Sequence, residues 1–231
     1  MNFEESFRAR FMMPLPAVTA RKFIPKEDPL SCSWAEAWDK RYRLGGGSGY
    51  GSTGILADYK IKIINDFITS FKIKSIIDFG CGDGYISNYI EVQEYLGLDI
   101  SKTAIEICEK NNKKVSKKFK LLSEYKGETA DSSISLDVIY HLVEENDFRK
   151  HIKDLFMSAN SFCLIYSNRT QGTPSRAPHI RWIDWARYVS MLVPYAIPLK
   201  HIPNPFSDLT GCDFFLYEID KKQKRRGLDL K

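Results

Sequence analysis

The chain has 231 residues, 43% of them hydrophobic, and a formal net charge of +5. This composition allows one substantial core without disulfides or a structural metal, and so small a charge excess does not by itself indicate nucleic-acid binding. No stretch reaches the roughly 18 apolar residues of a membrane span, the first residues lack the apolar core of a signal peptide, and five cysteines are scattered without a CxxC pair. We therefore expect a cytoplasmic protein with reduced thiols, no metal site and no membrane partner.

In chain order, residues 1–33 are predicted to be irregular, because they contain four prolines and little apolar periodicity. Six glycines then fall within GGGSGYGSTG, residues 45–54, and so dense a cluster predicts a loop. This loop could be a lid over a bound ligand or a simple connector. We treat residues 1–54 as an N-terminal arm that ends in it.

The rest of the chain alternates between helical and strand patterns. From Ile55 to Phe71, apolar residues at three- and four-residue steps predict an amphipathic helix, and the β-branched run Ser75–Gly80 predicts a buried strand. Further helices are predicted over 85–93, 102–112, 145–159 and 182–192, and strands over 95–98, 119–122, 134–140, 162–166 and 213–218. This alternation predicts an α/β fold at residues 55–220, a doubly wound, mostly parallel sheet with helices on both faces. We expect the basic tail, 221–231, to be disordered.

A glycine-rich turn follows the first predicted strand in IIDFGCGDG, residues 76–84. Glycines allow a sharp bend and close approach of a ligand to the backbone, and the next helix would offer free N–H groups. A related GxGxxG loop binds dinucleotides, but Asp78 inside this turn would repel a pyrophosphate and suit the ammonium group of an amino-acid-like ligand. Asp99, at the end of the next strand, is placed to accept both hydroxyls of a ribose.

These segments resemble the motifs of class I S-adenosylmethionine-dependent methyltransferases. IIDFGCGDG is similar to their first motif, YLGLDIS at 95–101 to the second, and SLDVIYHLVE at 135–144 to the segment that faces the methyl group. The resemblance implies a Rossmann-like fold, S-adenosylmethionine as cofactor and S-adenosylhomocysteine as product. It implies that the following residues bind the cofactor: Asp78, Gly80, Cys81, Gly82, Gly84, Tyr85, Asp99, Ile100, Asp137 and Tyr140. The segments that flank these motifs are similar to those of a small bacterial and phage-associated subgroup of methyltransferases.

Methyl transfer from a sulfonium is an in-line displacement, so the enzyme mainly aligns the acceptor and removes its proton. His141 follows the fourth strand, where the acceptor should approach, and imidazole titrates near neutral pH, which suits a general base. Glu144 or Glu145 could support it. A histidine that only packs at a strand end is an equally open interpretation.

Candidate acceptor contacts lie on either side of these motifs. Arg176, His179 and Arg181 form a basic segment beyond the fifth strand, and guanidinium groups suit phosphate or carboxylate. Surface arginines that serve only solubility are an equal alternative. Trp38 and Tyr42 could contact adenine or the acceptor, or pack on the core.

The sequence predicts O-methylation of a small, anionic metabolite, phosphorylated or carboxylated and sugar-like, by a monomer or homodimer. A nucleic-acid methyltransferase would use the lysines between 110 and 120 and the basic tail, but no Asn-Pro-Pro-Tyr or Asp-Pro-Pro-Tyr motif is present, so we do not expect a nucleic-acid partner. The remaining alternatives are a nicotinamide-dependent oxidoreductase, which Asp78 disfavours, and a non-catalytic module that binds the methyl donor.

Overall fold

The computed structural model describes residues 33–112, 114–168 and 183–229. In chain order its helices and strands are α1 Trp34–Arg43, α2 Gly54–Phe71, β1 Ser75–Phe79, β2 Glu94–Asp99, α3 Lys102–Asn111, β3 Lys117–Leu121, β4 Ala130–Leu136, α4 Glu145–Ser158, β5 Ala159–Asn168, α5 Trp185–Leu192, β6 Ala196–Ile202, β7 Cys212–Ile219 and α6 Lys221–Asp229. Most of these elements overlap those that the apolar periodicity predicts.

The described strands form one seven-stranded sheet in the order β3-β2-β1-β4-β5-β7-β6. Strands β1 to β5 pair in parallel, whereas β7 is antiparallel to β5 and β6 is antiparallel to β7. The prediction of a doubly wound, mostly parallel sheet is confirmed. The strand order reverses between β1 and β4, and ligands bind at the carboxyl ends of strands beside such a reversal.

Apolar side chains cover both faces of the sheet. On one face, Ile64 of α2 belongs to a buried cluster with Tyr166 of β5; on the other, Phe148 of α4 lies in a second cluster with Trp185 of α5. The burial of both faces explains why the strands have continuous apolar runs. Among the described helices, none is both long and apolar enough to cross a bilayer.

The helix predicted over 85–93 is absent, and a 3₁₀ turn at Ser87–Tyr89 takes its place. The side chain of Asn65, on α2, donates to the carbonyl at the end of this turn at 3.0 Å and accepts an N–H just beyond it at 2.9 Å. The Lys117 ammonium, on β3, donates to two further backbone carbonyls of the segment. Because these partners are distant in sequence, the local pattern could not indicate that they replace a helix.

Two more elements differ from the sequence prediction. Helix α1 was not predicted, and it follows the stretch 1–33 that we expected to be irregular, of which residues 1–32 lie outside the described residues. The helix begins with a capping box in which Ser33 and Glu36 bond each other's backbone N–H. Strand β6 was not predicted, because most of its residues are exposed and Pro198 interrupts the pattern.

The basic tail does not match the expectation of disorder, because Lys221–Asp229 form helix α6. The Asp220 carboxylate accepts N–H groups of the first turn at 2.9 and 3.0 Å, which caps the helix. Lys224 then donates to the carbonyls of Met157 and Ala159, at the end of α4, at 2.7 and 2.6 Å. The tail is therefore attached to the domain by specific contacts.

Candidate active site

The glycine turn after β1 has a backbone shape that side chains would disturb. Gly82 has φ +59°, in the left-handed region that favours glycine, and a Cβ there would collide with Ser48 Oγ and lie 3.0 Å from the Tyr42 hydroxyl. A Cβ on Gly80, at φ +96°, would collide with Val138. The turn is therefore packed closely between the N-terminal arm and the residues that follow β4.

Asp78, at the end of β1, is a buried carboxylate with one unpaired oxygen. The Tyr95 hydroxyl donates to Oδ2 at 2.5 Å, but Oδ1 has no hydrogen-bond partner among the described residues. Burial, reinforced by the negative charge of Asp99, raises the pKa of Asp78 to about 7 although the Tyr95 hydrogen bond lowers it. A buried acceptor without a partner is unfavourable, so this oxygen could hold a ligand cation.

Asp99, at the end of β2, joins the glycine turn to the start of α3. Its Oδ2 accepts the Gly82 N–H at 2.9 Å and its Oδ1 accepts the Ser101 N–H at 2.9 Å. Burial raises the pKa of Asp99 to about 6, and the backbone hydrogen bonds oppose that rise. Each carboxylate oxygen can accept a second hydrogen bond, so the pair could also receive a ribose diol.

The other residues predicted near the glycine turn lie in different surroundings. Cys81 is buried, and its sulfur would touch a Cβ on Gly97. The side chains of Tyr85 and Ile100 are 39% and 43% exposed. The roles of these three residues stay predictions.

An ionic cluster lies just after β4, and only some of its residues were predicted from the sequence. Asp137 has φ +60°; its Oδ1 accepts the Tyr140 hydroxyl at 2.8 Å, and its Oδ2 forms an ion pair with Lys60. The structure thus brings together Asp137 and Tyr140, both predicted to bind the cofactor. Lys60 was missed, although a lysine on the apolar face of an amphipathic helix is a signal that could have pointed to it.

Lys60 is fully buried and has more than one partner. Its ammonium also donates to the Gly51 carbonyl at 2.8 Å and lies 4.6 Å from the centroid of the Tyr166 ring, a cation–π distance. A buried charge is tolerated when it is paired and hydrogen-bonded. This lysine therefore connects α2, the glycine-rich loop, and the ends of β4 and β5.

The glycine-rich segment, residues 45–54, is held against the glycine turn. Ser48 N–H donates to the Asp83 carboxylate at 3.1 Å, and Asp83 N–H donates to Ser48 Oγ at 3.0 Å. Arg41 Nε donates to the Gly47 carbonyl at 2.8 Å. These contacts favour the interpretation of the segment as a cover over that of a free connector.

The rings of His141 and Trp38 are in contact. The two rings lie 5.3 Å apart in an edge-to-face arrangement, and the Tyr140 ring is 4.5 Å from His141. Tyr42 is instead buried, with its hydroxyl 3.1 Å from Ser48 Oγ, and burial raises its pKa. That position fits the packing interpretation of Tyr42. Arg176, His179 and Arg181 lie outside the described residues.

The lysines between 110 and 120 do not all form an open basic surface. Lys117 is buried, and that burial lowers its pKa to about 8. Lys120 pairs with Glu128 at 2.5 Å. This reduces the number of cations that the cluster could offer to a polyanion.

The fold is shared with solved methyltransferases. A magnesium protoporphyrin IX methyltransferase of Synechocystis, with S-adenosylhomocysteine bound, is 14% identical with a TM-score of 0.57, over 78% of this chain and 94% of that chain. The N-methyltransferase NodS of Bradyrhizobium japonicum is 14% identical with a TM-score of 0.57, over 70% and 85%. An S-adenosylmethionine-dependent methyltransferase of Clostridium acetobutylicum is 12% identical with a TM-score of 0.55, over 80% and 97%.

Residues 77–161 match the family described as methyltransferase domain. This match covers less than half of the chain, and the solved structures show that the chain shares their fold. A tRNA (carboxymethyluridine(34)-5-O)-methyltransferase of Arabidopsis thaliana is 34% identical over 92 residues, which are 39% of this chain. Those residues are 23% of the Arabidopsis protein, so the chain spans about a quarter of that relative's length. The fold predicted from the motifs is confirmed, and the match over residues 77–161 agrees with the enzyme class that the motifs predict.

Proposed function

We propose that this domain binds S-adenosylmethionine and methylates a hydroxyl group of a small anionic metabolite. The observation that carries the proposal is the buried Asp78 with its unpaired Oδ1, one strand away from the buried Asp99. The first carboxylate suits the ammonium group of the methionine part, and the second suits the ribose diol. The solved relatives that contain S-adenosylhomocysteine support the same cofactor here.

When bound, the cofactor supplies a methyl group that its sulfonium has already activated. Asp78 and Asp99 would hold the methionine and ribose parts of the donor, so the protein's remaining task is to align the acceptor. His141 lies next to Tyr140, which bonds the carboxylate at the end of β4. We propose that the His141 imidazole accepts the proton of the acceptor hydroxyl while the methyl group passes from sulfur to oxygen, its bond to sulfur breaking as its bond to oxygen forms.

A small acceptor is supported by how the described residues enclose this region. The glycine-rich segment lies against the glycine turn, and Trp38 packs on His141. The anionic character rests on Arg176, His179 and Arg181 in the sequence. We also propose a cytoplasmic monomer or homodimer, consistent with buried free thiols at the described cysteines.

The competing acceptor is a tRNA, which the partial match to the Arabidopsis protein favours. The buried or paired lysines near residue 117 weigh against it. The small acceptor is therefore the proposed substrate, and tRNA is the rival substrate in the test.

The test has two steps. Calorimetry should show binding of S-adenosylmethionine and S-adenosylhomocysteine, no binding of NAD, and at least about tenfold weaker binding by Asp78→Ala. The matched control is Asp131→Ala, which replaces an acid at the start of β4 whose carboxylate accepts the Lys74 N–H. Donor consumption is then compared with phosphorylated sugars, carboxylated sugars and bulk tRNA. Turnover with tRNA alone would contradict the small acceptor, and the absence of donor binding would contradict the whole proposal.

A further inference from the structure

We infer that Lys60 is a positioning residue that holds the glycine-rich segment closed over the donor and fixes Asp137 at the same time. This inference rests on the proposed function, because it assigns a task at the same donor site. Lys60 lies on α2, outside every sequence motif that indicates the cofactor, so its contacts alone support the role.

The contacts of one ammonium group join two parts of the site. Lys60 Nζ donates to the Gly51 carbonyl at 2.8 Å, in the glycine-rich segment, and forms an ion pair with Asp137 after β4. The Tyr166 ring covers a further side of the ammonium at 4.6 Å. The backbone of the segment and the carboxylate at the end of β4 therefore share one cation.

The same segment has a second anchor on the glycine turn. Ser48 exchanges two hydrogen bonds with Asp83, at 3.1 and 3.0 Å, and its hydroxyl also meets Tyr42. The two anchors stand three residues apart in the segment, at Ser48 and Gly51. One touches the turn after β1 and the other touches the residue after β4, which are the two strands beside the reversal of strand order. The segment thus crosses the place where the donor is expected.

The space at Gly51 shows how closely the anchor on Lys60 fits. A Cβ at this position would lie 3.0 Å from Asp137 Oδ2 and 3.5 Å from Lys60 Nζ. Even one methyl group would force the segment and the carboxylate apart by a few tenths of an ångström. Gly51→Ala therefore loosens this anchor and keeps the buried cation in place.

Loss of the cation should act on the segment and on Asp137 together. Without Lys60, the Gly51 carbonyl loses its donor and the Asp137 carboxylate loses its counter-ion, so the closed arrangement becomes less populated. A smaller closed population weakens ligand binding in proportion and speeds ligand release. A lysine that only stabilised the core would lower thermal stability without changing the segment selectively.

The experiment compares Lys60→Met and Gly51→Ala with Lys62→Met, a matched control two residues along the same helix whose ammonium pairs with Asp66 at the surface. Hydrogen exchange of residues 45–54 is measured with and without S-adenosylhomocysteine, together with the release rate of that ligand. We expect Lys60→Met to speed exchange in this segment and to release the ligand at least about tenfold faster. Gly51→Ala should also speed exchange and ligand release, to a smaller extent and with an unchanged melting temperature. In both variants the KM for the donor should rise by a larger factor than kcat falls.

Unchanged exchange and release in folded Lys60→Met would overturn the inference, as would effects equal to those of Lys62→Met. If Lys60→Met does not fold, the test rests on Gly51→Ala. Hydrogen exchange and ligand release at wild-type rates in Gly51→Ala would then overturn the role of Lys60. Exchange in the absence of ligand tests Lys60 independently of the donor. A wild-type protein that binds no S-adenosylhomocysteine but exchanges faster in residues 45–54 when Lys60 is replaced would overturn the proposed function and leave Lys60 as the anchor of the segment.

Discussion

At the scale of single residues, the site is characterised by two buried carboxylates. Asp78 and Asp99 lie on neighbouring strands, and burial raises both pKa values, to about 7 and about 6. The protein therefore keeps polar atoms in an environment that does not suit their charge. Such groups occur where a ligand supplies the missing partner.

The stability of the ligand-free protein should depend on Asp78. A carboxyl group with a higher pKa in the folded state binds its proton more tightly there, so its contribution is fully present below about pH 4 and is lost as pH rises through about 7. Chemical unfolding between pH 5 and 8 should show a falling free energy of unfolding that Asp78→Asn flattens. An equal slope in wild type and variant would contradict this.

Donor binding should release protons at mildly acidic pH. The ionised form of Asp78 is the one that pairs with an ammonium group, so binding below about pH 7 must expel its proton. Calorimetry at pH 6 in two buffers of different ionisation enthalpy should give binding heats that differ in wild type. Asp78→Asn should give nearly equal heats, and equal heats in the wild type would exclude proton release.

His141 should affect turnover far more than donor binding. If its imidazole takes the acceptor's proton, His141→Ala should lower kcat by at least about 100-fold while the affinity for S-adenosylhomocysteine changes little. The measurement is single-turnover methyl transfer across pH, with calorimetry on the same variant as control. Near-normal turnover would leave His141 as a packing partner of Trp38.

At the scale of secondary structure, the segment between β1 and β2 shows where local pattern is insufficient. The sequence predicted a helix there, but Asn65 and Lys117 satisfy its backbone groups from distant elements. In contrast, α2 and α3 were predicted nearly to the residue, because each is a regular amphipathic helix whose apolar face is buried on the sheet. Apolar periodicity predicts which residues of one helix or strand are buried. It cannot predict a hydrogen bond from a side chain on a different element.

Lys117 should therefore matter for stability. It is buried and donates to the carbonyls of Ser87 and Ile90. Lys117→Met removes the donor of the Ile90 carbonyl and one of two donors of the Ser87 carbonyl, which also accepts the Ile90 N–H. The substitution should cost about 1–3 kcal/mol in the free energy of unfolding. The matched control is Lys118→Met, which changes an exposed side chain on the same strand. Urea unfolding measures both, and similar values for the two variants would contradict this role.

At the scale of the whole molecule, the sequence motifs predicted the position of the site on the sheet but not the contacts that surround it. The parallel strands carry Asp78, Asp99 and Asp137 to one edge of the sheet, which follows from strand alternation alone. The contacts of the glycine-rich segment with Asp83 and Lys60 join residues 35 and 9 positions apart. Neither spacing has a recognisable pattern, so the glycines could suggest a lid but could not predict the contacts that hold residues 45–54.

The state of the lysines near residue 117 predicts how strongly the protein binds RNA. With Lys117 buried and Lys120 paired, we expect only non-specific attraction to tRNA, which should vanish by about 200 mM salt. Filter binding over a salt series measures this, with the affinity for S-adenosylhomocysteine as a salt-insensitive control. Tight tRNA binding that persists at that salt concentration would instead favour a nucleic-acid substrate.

The attachment of helix α6 has a practical consequence for immobilising the protein. Lys224 bonds the chain where α4 ends and β5 begins, and in a parallel sheet that is the rim opposite the carboxyl ends of the strands. A biotin or polyhistidine label attached after α6 would lie near this edge of the sheet, away from the carboxyl ends of the strands. Sensor chips loaded through such a label should leave the glycine turn facing the flowing solution, ready for ligand and acceptor screens.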